Sequence, residues 1–134
     1  MISFRTLTAS YGSVRMRLWI AFEEGPQVLD LKTMQPVVPP CENSQVEAQL
    51  NKVFKNLCTR IYCDAKGNIW MLSFNQLTRF GFNEKGEVSS VLSTSYPYNA
   101  PDLGICDVYR RGTVVLCNNG VVSEFSVKNN QLVA

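Results

Sequence analysis

The 134-residue chain contains no histidine. That removes the usual general base, the usual partner of a serine or cysteine nucleophile, and the commonest metal ligand. Net charge is also scarce: 13 basic and 11 acidic residues leave +2. Such a balance gives no broad field to hold nucleic acid or an anionic membrane surface. Apolar runs are a handful of residues long, far short of the ~20 a spanning helix needs. No membrane contact is expected within this segment. The opening residues, Met1-Ile2-Ser3-Phe4-Arg5-Thr6, lack the basic segment and apolar run of a signal peptide. Five cysteines, Cys41, Cys58, Cys63, Cys106 and Cys117, form no CxxC pair. An odd number without that spacing suggests neither a disulfide framework nor a zinc site. No paired carboxylates share a strand face, since the adjacent Glu23 and Glu24 would point to opposite sides. An enzyme is not expected, and no cofactor or metal is implied.

What is present is a core-forming composition, 46% apolar, in a chain long enough for one domain over 1–134. It also contains a repeat. A shift of 45 residues lays "GNIWMLSFNQLTRF", from Gly67, over "GTVVLCNNGVVSEF", from Gly112, without a gap. Ile69 then matches Val114, Trp70 matches Val115, Leu77 matches Val122 and Phe80 matches Phe125. A backward shift of 51 lays "IWMLSFNQLTRFG" over "LWIAFEEGPQVLD" and puts Trp70 on Trp19. Each unit reads as two apolar strands joined by a polar loop, with a further strand on either side. In the middle unit the strands are expected near 57–63, 68–73, 76–82 and 87–93. Turns are expected at Asp64 to Gly67, at Arg110-Arg111-Gly112, and at Tyr11-Gly12-Ser13. Asp can bond its own backbone two residues on, and Gly can take a positive φ.

Four strands per ~45 residues is the period of a propeller blade. A blade buries its two faces only against neighbours. The expected fold is therefore all-β: about three antiparallel four-stranded blades, as a partial or open propeller, over 1–40, 56–94 and 102–134. Trp19, Trp70 and Val115 should lie on the second strand of each and pack between sheets. The last strand is expected from 132 onwards and is cut short. Open flanks would then be covered by neighbouring blades or domains of a longer parent protein, or by self-association.

The middle unit, "DAKGNIWMLSFNQLTRF", resembles the two-component regulator propeller repeat. Asp64, Gly67, Asn68, Ile69, Trp70, Met71, Leu77 and Phe80 all fall on its pattern. The first copy keeps the aliphatic-Trp-aliphatic core, and the third keeps Gly112, the apolar positions and Phe125. The resemblance implies a non-catalytic sensor region of a hybrid two-component regulator, periplasmic, responding to polysaccharide breakdown products. A stand-alone interaction scaffold, which would be cytoplasmic, is the alternative reading.

Residues 42–57, "ENSQVEAQLNKVFKNL", break the β pattern. Val46, Leu50, Val53, Phe54 and Leu57 have helical spacing. Ser44 and Glu47 form a capping-box pattern, so a short helix is expected near 44–55, covering a sheet edge or docking a partner. The most distinctive loop is "STSYPYNAPDLG". Its Tyr96, Tyr98, Asn99 and Asp102 are candidate contacts for an oligosaccharide or peptide, the plain alternative being an inter-blade connection. Cys106 and Cys117 fall, by the 45-residue shift, on Ile61 and Leu72. They read as small buried hydrophobes, with a cross-strand disulfide as the alternative. Asp64 reads as a turn residue rather than a calcium ligand. Arg15, Arg17, Arg110 and Arg111 read as solvated surface, without interleaved aromatics that would make a nucleic-acid platform.

Overall fold

The computed structural model describes residues 2–9, 16–22, 25–56, 58, 60–64, 66–73, 76–95, 104–108, 113–118 and 121–134. Among them the chain is mostly β, with one helix. Sheet 1 contains β1 (Ile2–Ala9), β2 (Met16–Phe22), β3 (Gly25–Asp30) and β4 (Gln35–Pro36). The helix α1 (Ser44–Phe54) follows. Sheet 2 contains β5 (Arg60–Cys63), β6 (Ile69–Ser73), β7 (Gln76–Phe82) and β8 (Val88–Ser95). Sheet 3 contains β9 (Gly104–Val108), β10 (Thr113–Asn118), β11 (Val121–Lys128) and β12 (Gln131–Val133). Each sheet is an antiparallel meander with its strands in chain order. The three sheets do not close into a ring.

The central hairpins share one register. Phe22 pairs Gly25, Ser73 pairs Gln76 and Asn118 pairs Val121. Trp19 pairs Val28, Trp70 pairs Arg79 and Val115 pairs Glu124. The gapless sequence shifts are thus structural superpositions of the inner strand pairs. Outer strands drift, because their connections differ in length. Ile61 pairs Met71 with nine residues between them, whereas Ile105 pairs Leu116, the equivalent of Met71, with ten. That one-residue difference moves β9 in register, so Ile105, not Cys106, takes the place of Ile61. Likewise β12 starts at Gln131, ahead of the expected 132. Its turn is the two-residue Asn129-Asn130, with φ of 52° and 59°. These are the left-handed conformations of a type I′ hairpin, which Asn tolerates.

Two apolar clusters fill the spaces between the sheets, one on each side of sheet 2. On its rear side Ile61, Ile69, Met71, Phe80, Val88 and Val91 pack with Trp19, Ala21 and Val28 of sheet 1. On its forward side Trp70, Leu72 and Leu77 pack with Val114, Leu116, Phe125 and Leu132 of sheet 3. The alternation of β6 explains this: successive side chains point to opposite faces. Trp19 and Trp70 each sit on the forward face of their sheet, toward the next, and each is 1% exposed. Val115 does not pack between sheets as expected. It is half-buried and lies beyond the last interface, since β10 has no following sheet among the described residues.

Helix α1 lies over the junction of sheets 1 and 2. Its Val46, Leu50 and Val53 enter the rear cluster. Phe54 meets Trp19 edge-on at 5.7 Å and Phe80 at 5.8 Å between ring centroids. The N-cap is Asn43 rather than Ser44. Asn43 is extended, and its side-chain oxygen accepts from the Val46 amide at 2.9 Å, while Ser44 already belongs to the first turn. The segment before the helix joins both sheets. The Val37 amide donates to the Val28 carbonyl in sheet 1. Val88 of sheet 2 exchanges bonds with the Pro40 carbonyl and the Glu42 amide. Gly25 has φ +133°, and a Cβ there would run into the Phe54 carbonyl oxygen. Only glycine lets the helix end approach β3 this closely.

Two substitutions test this packing. Trp70→Ala should destabilise by about 3–5 kcal/mol through lost burial and a cavity. Gly25→Ala should cost at least about 2 kcal/mol, from backbone strain and displacement of the helix end. Urea denaturation followed by far-ultraviolet circular dichroism measures both.

Candidate functional site

The most connected polar group described is the Asp64 carboxylate, in the turn between β5 and β6. One oxygen, Oδ1, accepts from the amides of Lys66 and Asn68, both at 2.9 Å. The other, Oδ2, accepts from Asn68 Nδ2 at 3.0 Å and from Trp70 Nε1 at 2.9 Å. Backbone bonds complete the turn, and Gly67 takes φ +84°. A buried indole N–H without a partner would carry a desolvation cost. Asp64 therefore closes the turn and makes burial of Trp70 tolerable. All four bonds occupy its lone pairs, so the carboxylate is committed to the fold rather than to a cation.

Arg79, directly opposite Trp70 on β7, holds its guanidinium carbon 5.9 Å from the indole centroid. A cation over that face is attracted by the ring quadrupole. Burial lowers the Arg79 pKa from its ordinary value, and the Asp64 charge opposes that shift. Gly81 leaves room alongside, since a Cβ there would crowd Ser90 Oγ and Arg79 Nη1. Asp64, Trp70 and Arg79 thus form one brace on the forward face of sheet 2.

The turn from β7 to β8 repeats the same geometry with an amide. Asn83 Oδ1 accepts from the Lys85 and Glu87 amides, both at 3.0 Å, and Gly86 has φ +79°. The sequence signal is "NEKGE" beside "DAKGN", with Lys-Gly at the same offset. Sequence reasoning missed it. The turn after β3 uses Asp30, whose Oδ1 accepts from Lys32 at 2.8 Å and Thr33 at 3.3 Å.

Of the expected ligand contacts, Tyr96, Tyr98, Asn99 and Asp102 lie outside the described residues, as do Gly112, the turns at 11–13 and 110–112, and Arg15. Trp19, Leu77 and Phe80 are in the intersheet clusters, and Phe125 joins Trp70. Arg17 stands opposite Asp30 in the β2–β3 register. Two grooves border α1. One, of about 250 Å³, is lined by Pro26, Val28, Val37, Val38, Asn51 and Phe54, among others. The other, of about 180 Å³, lies where α1 meets β7 and β8. Gln49, Lys52, Asn56, Gln76 and Ser93 surround its apolar floor of Val53 and Val91. Both are smaller than the ~300–1,000 Å³ of drug-sized sites. The second has the amide, hydroxyl and ammonium groups that suit a polyhydroxylated molecule. Sequence patterning gave no hint of it, because its residues come from separate elements.

Cys41, Cys58 and Cys63 are reduced thiols outside any disulfide, each directed at a nearby carbonyl. Burial first, then the charges of Glu47 and Glu87, push the Cys41 thiol above its ordinary pKa. It stays protonated, and so a poor nucleophile, at neutral pH. Cys106 stands opposite Val115 and Cys117 opposite Gly104. No group of three metal-ligating side chains occurs among the described residues, nor any helix long and apolar enough to cross a membrane. Comparison with known protein families, with curated proteins and with solved structures finds no match.

Asparagine at 83 shows that an amide can build this turn, which makes Asp64→Asn a selective probe. It should retain the turn but present an amino group to the donors of Asn68 and Trp70, at a cost of about 1–3 kcal/mol. In a Trp70→Phe background that cost should shrink by about 1 kcal/mol. Strict additivity of the two losses in a double-mutant cycle would show that the indole bond does not couple turn to core.

Proposed function

We propose that this chain is a non-catalytic recognition module of the propeller-sensor kind found in hybrid two-component regulators, with its three sheets as blades. The observation that carries the reading is the packing order. Three meanders of like register lie face to face in chain order, and the tryptophan of each of the first two faces the next sheet. The Asp64–Trp70 bond adds to it, because it gives the spacing of the repeat motif a physical purpose. Resemblance to such sensors carries with it a periplasmic setting and a ligand drawn from glycan breakdown products. The amide-lined groove between α1 and sheet 2 is the place for such a ligand. It is sized for one sugar unit, with Gln76, Asn56 and Gln49 as hydrogen-bonding groups and Lys52 at the rim. A scaffold that docks partners through α1 is less favoured. The helix commits Val46, Leu50 and Val53 to the core and leaves Gln45, Glu47, Gln49 and Lys52 outward.

Isothermal titration calorimetry against a panel of short oligosaccharides tests the proposal. One class of sugar should bind, and Gln76→Ala or Asn56→Ala should weaken it by about tenfold, as expected for the loss of a good hydrogen bond. A panel without heat or thermal stabilisation, or binding unchanged in both variants, would refute this site.

A further inference from the structure

The internal interfaces obey one rule, and among the described residues the rule leaves two faces over. The rear face of sheet 2 presents Ile69, Met71 and Phe80 to the forward face of sheet 1, which carries Trp19, Ala21 and Val28. The rear face of sheet 3 presents Val114, Leu116 and Phe125 to the forward face of sheet 2, which carries Trp70, Leu72 and Leu77. The gapless register puts Leu18, Ile20 and Leu29 of sheet 1 at the same rear-face positions. It puts Val115, Val122 and Glu124 of sheet 3 at the forward-face positions of Trp70, Leu77 and Arg79. Among the described residues no sheet covers these two outermost faces. Leu18, Leu29 and Val115 remain half-buried, Val122 is 65% exposed, and Ile20 alone of these apolar groups is buried, at 8% exposure.

We propose that the forward face of sheet 3 docks on the rear face of sheet 1 of a second copy of this chain. The continuity of the interface names the occupant. A face of this rear type already receives a face of this forward type twice within the chain, and a second copy offers both. Two copies then make two identical junctions, a heterologous contact that closes on itself. Six sheets result, within the range of about four to eight at which stacked sheets close radially. A charge at position 124 does not oppose this. Arg79 occupies the equivalent position inside an established interface, and Glu124 already accepts from Thr113 Oγ1 at 2.8 Å. The inference rests on the packing rule and not on a sugar ligand, so its test needs none.

Sedimentation velocity over a wide range of protein concentration should show a species of twice the 15.1 kDa monomer mass. Val122→Asp places an unpaired charge in the junction and should raise the dimer dissociation constant by about a hundredfold or more. Its exposed position should leave monomer circular dichroism unchanged. Hydroxyl-radical footprinting of the unmodified chain gives a second readout. Leu29 and Val122 should lose reactivity together as the dimer forms. Monomer mass at every concentration would assign these faces to some other cover and overturn the proposal. So would a dimer indifferent to Val122→Asp, or protection confined to one of the two faces.

Discussion

A sheet that is apolar on both sides has no stable solitary form. Sheet 2 is such a sheet: Ile69, Trp70, Met71 and Leu72 are consecutive, and none exceeds 1% exposure. Alternation sends the first and third to one side and the other two to the opposite side. Each side must be covered, and sheets 1 and 3 are the covers. Trp19 and Trp70 are the largest groups at the two seams. Burying a side chain of that size contributes roughly 2–3 kcal/mol. The seams are therefore what joins three small meanders into one body, since a lone meander this thin could not hold two dry faces.

Turn chemistry and seam packing are coupled rather than parallel. In the turn before β6 a single carboxylate orders the backbone and satisfies the indole that enters the seam. The following turn, built on Asn83, does only the first of these. This difference explains why aspartate stands at 64 and an amide suffices at 83. At the other seam the aromatic cluster is completed from outside the sheets. Phe54 of α1 closes on Trp19 and Phe80, and Gly25 gives the helix end its clearance. The helix is thus part of the core, and its groove with sheet 2 follows from that docking.

The polar groups described are engaged in structure more than in chemistry. The Asp64 and Asn83 side chains cap turns, and the described thiols donate to local carbonyls. Thr78, fully buried, shares a 2.8 Å hydrogen bond with Ser93 across β7 and β8. Amide and hydroxyl groups surround the groove beside α1.

Local pattern was enough to place much of this fold. The shifts of 45 and 51 residues located the central hairpins, because a two-residue connection at the same place keeps three strand pairs in one register. Helical spacing located α1, and Asp-Ala-Lys-Gly located its turn. What sequence alone left open depends on relations between elements. The slip of β9 follows from a connection one residue longer, which changes pairing without changing the apolar pattern. Val115 matches Trp70 in the alignment yet lies outside the seams, because burial depends on whether another sheet follows. Nor could spacing show that Asp64 reaches Trp70, or that Gln76 and Asn56 share a groove. The sequence by itself determined which residues alternate and where the chain turns, since both are local properties of the backbone. Only the tertiary structure decided which face meets which, because an apolar face is non-directional and takes its partner from the geometry of the whole chain.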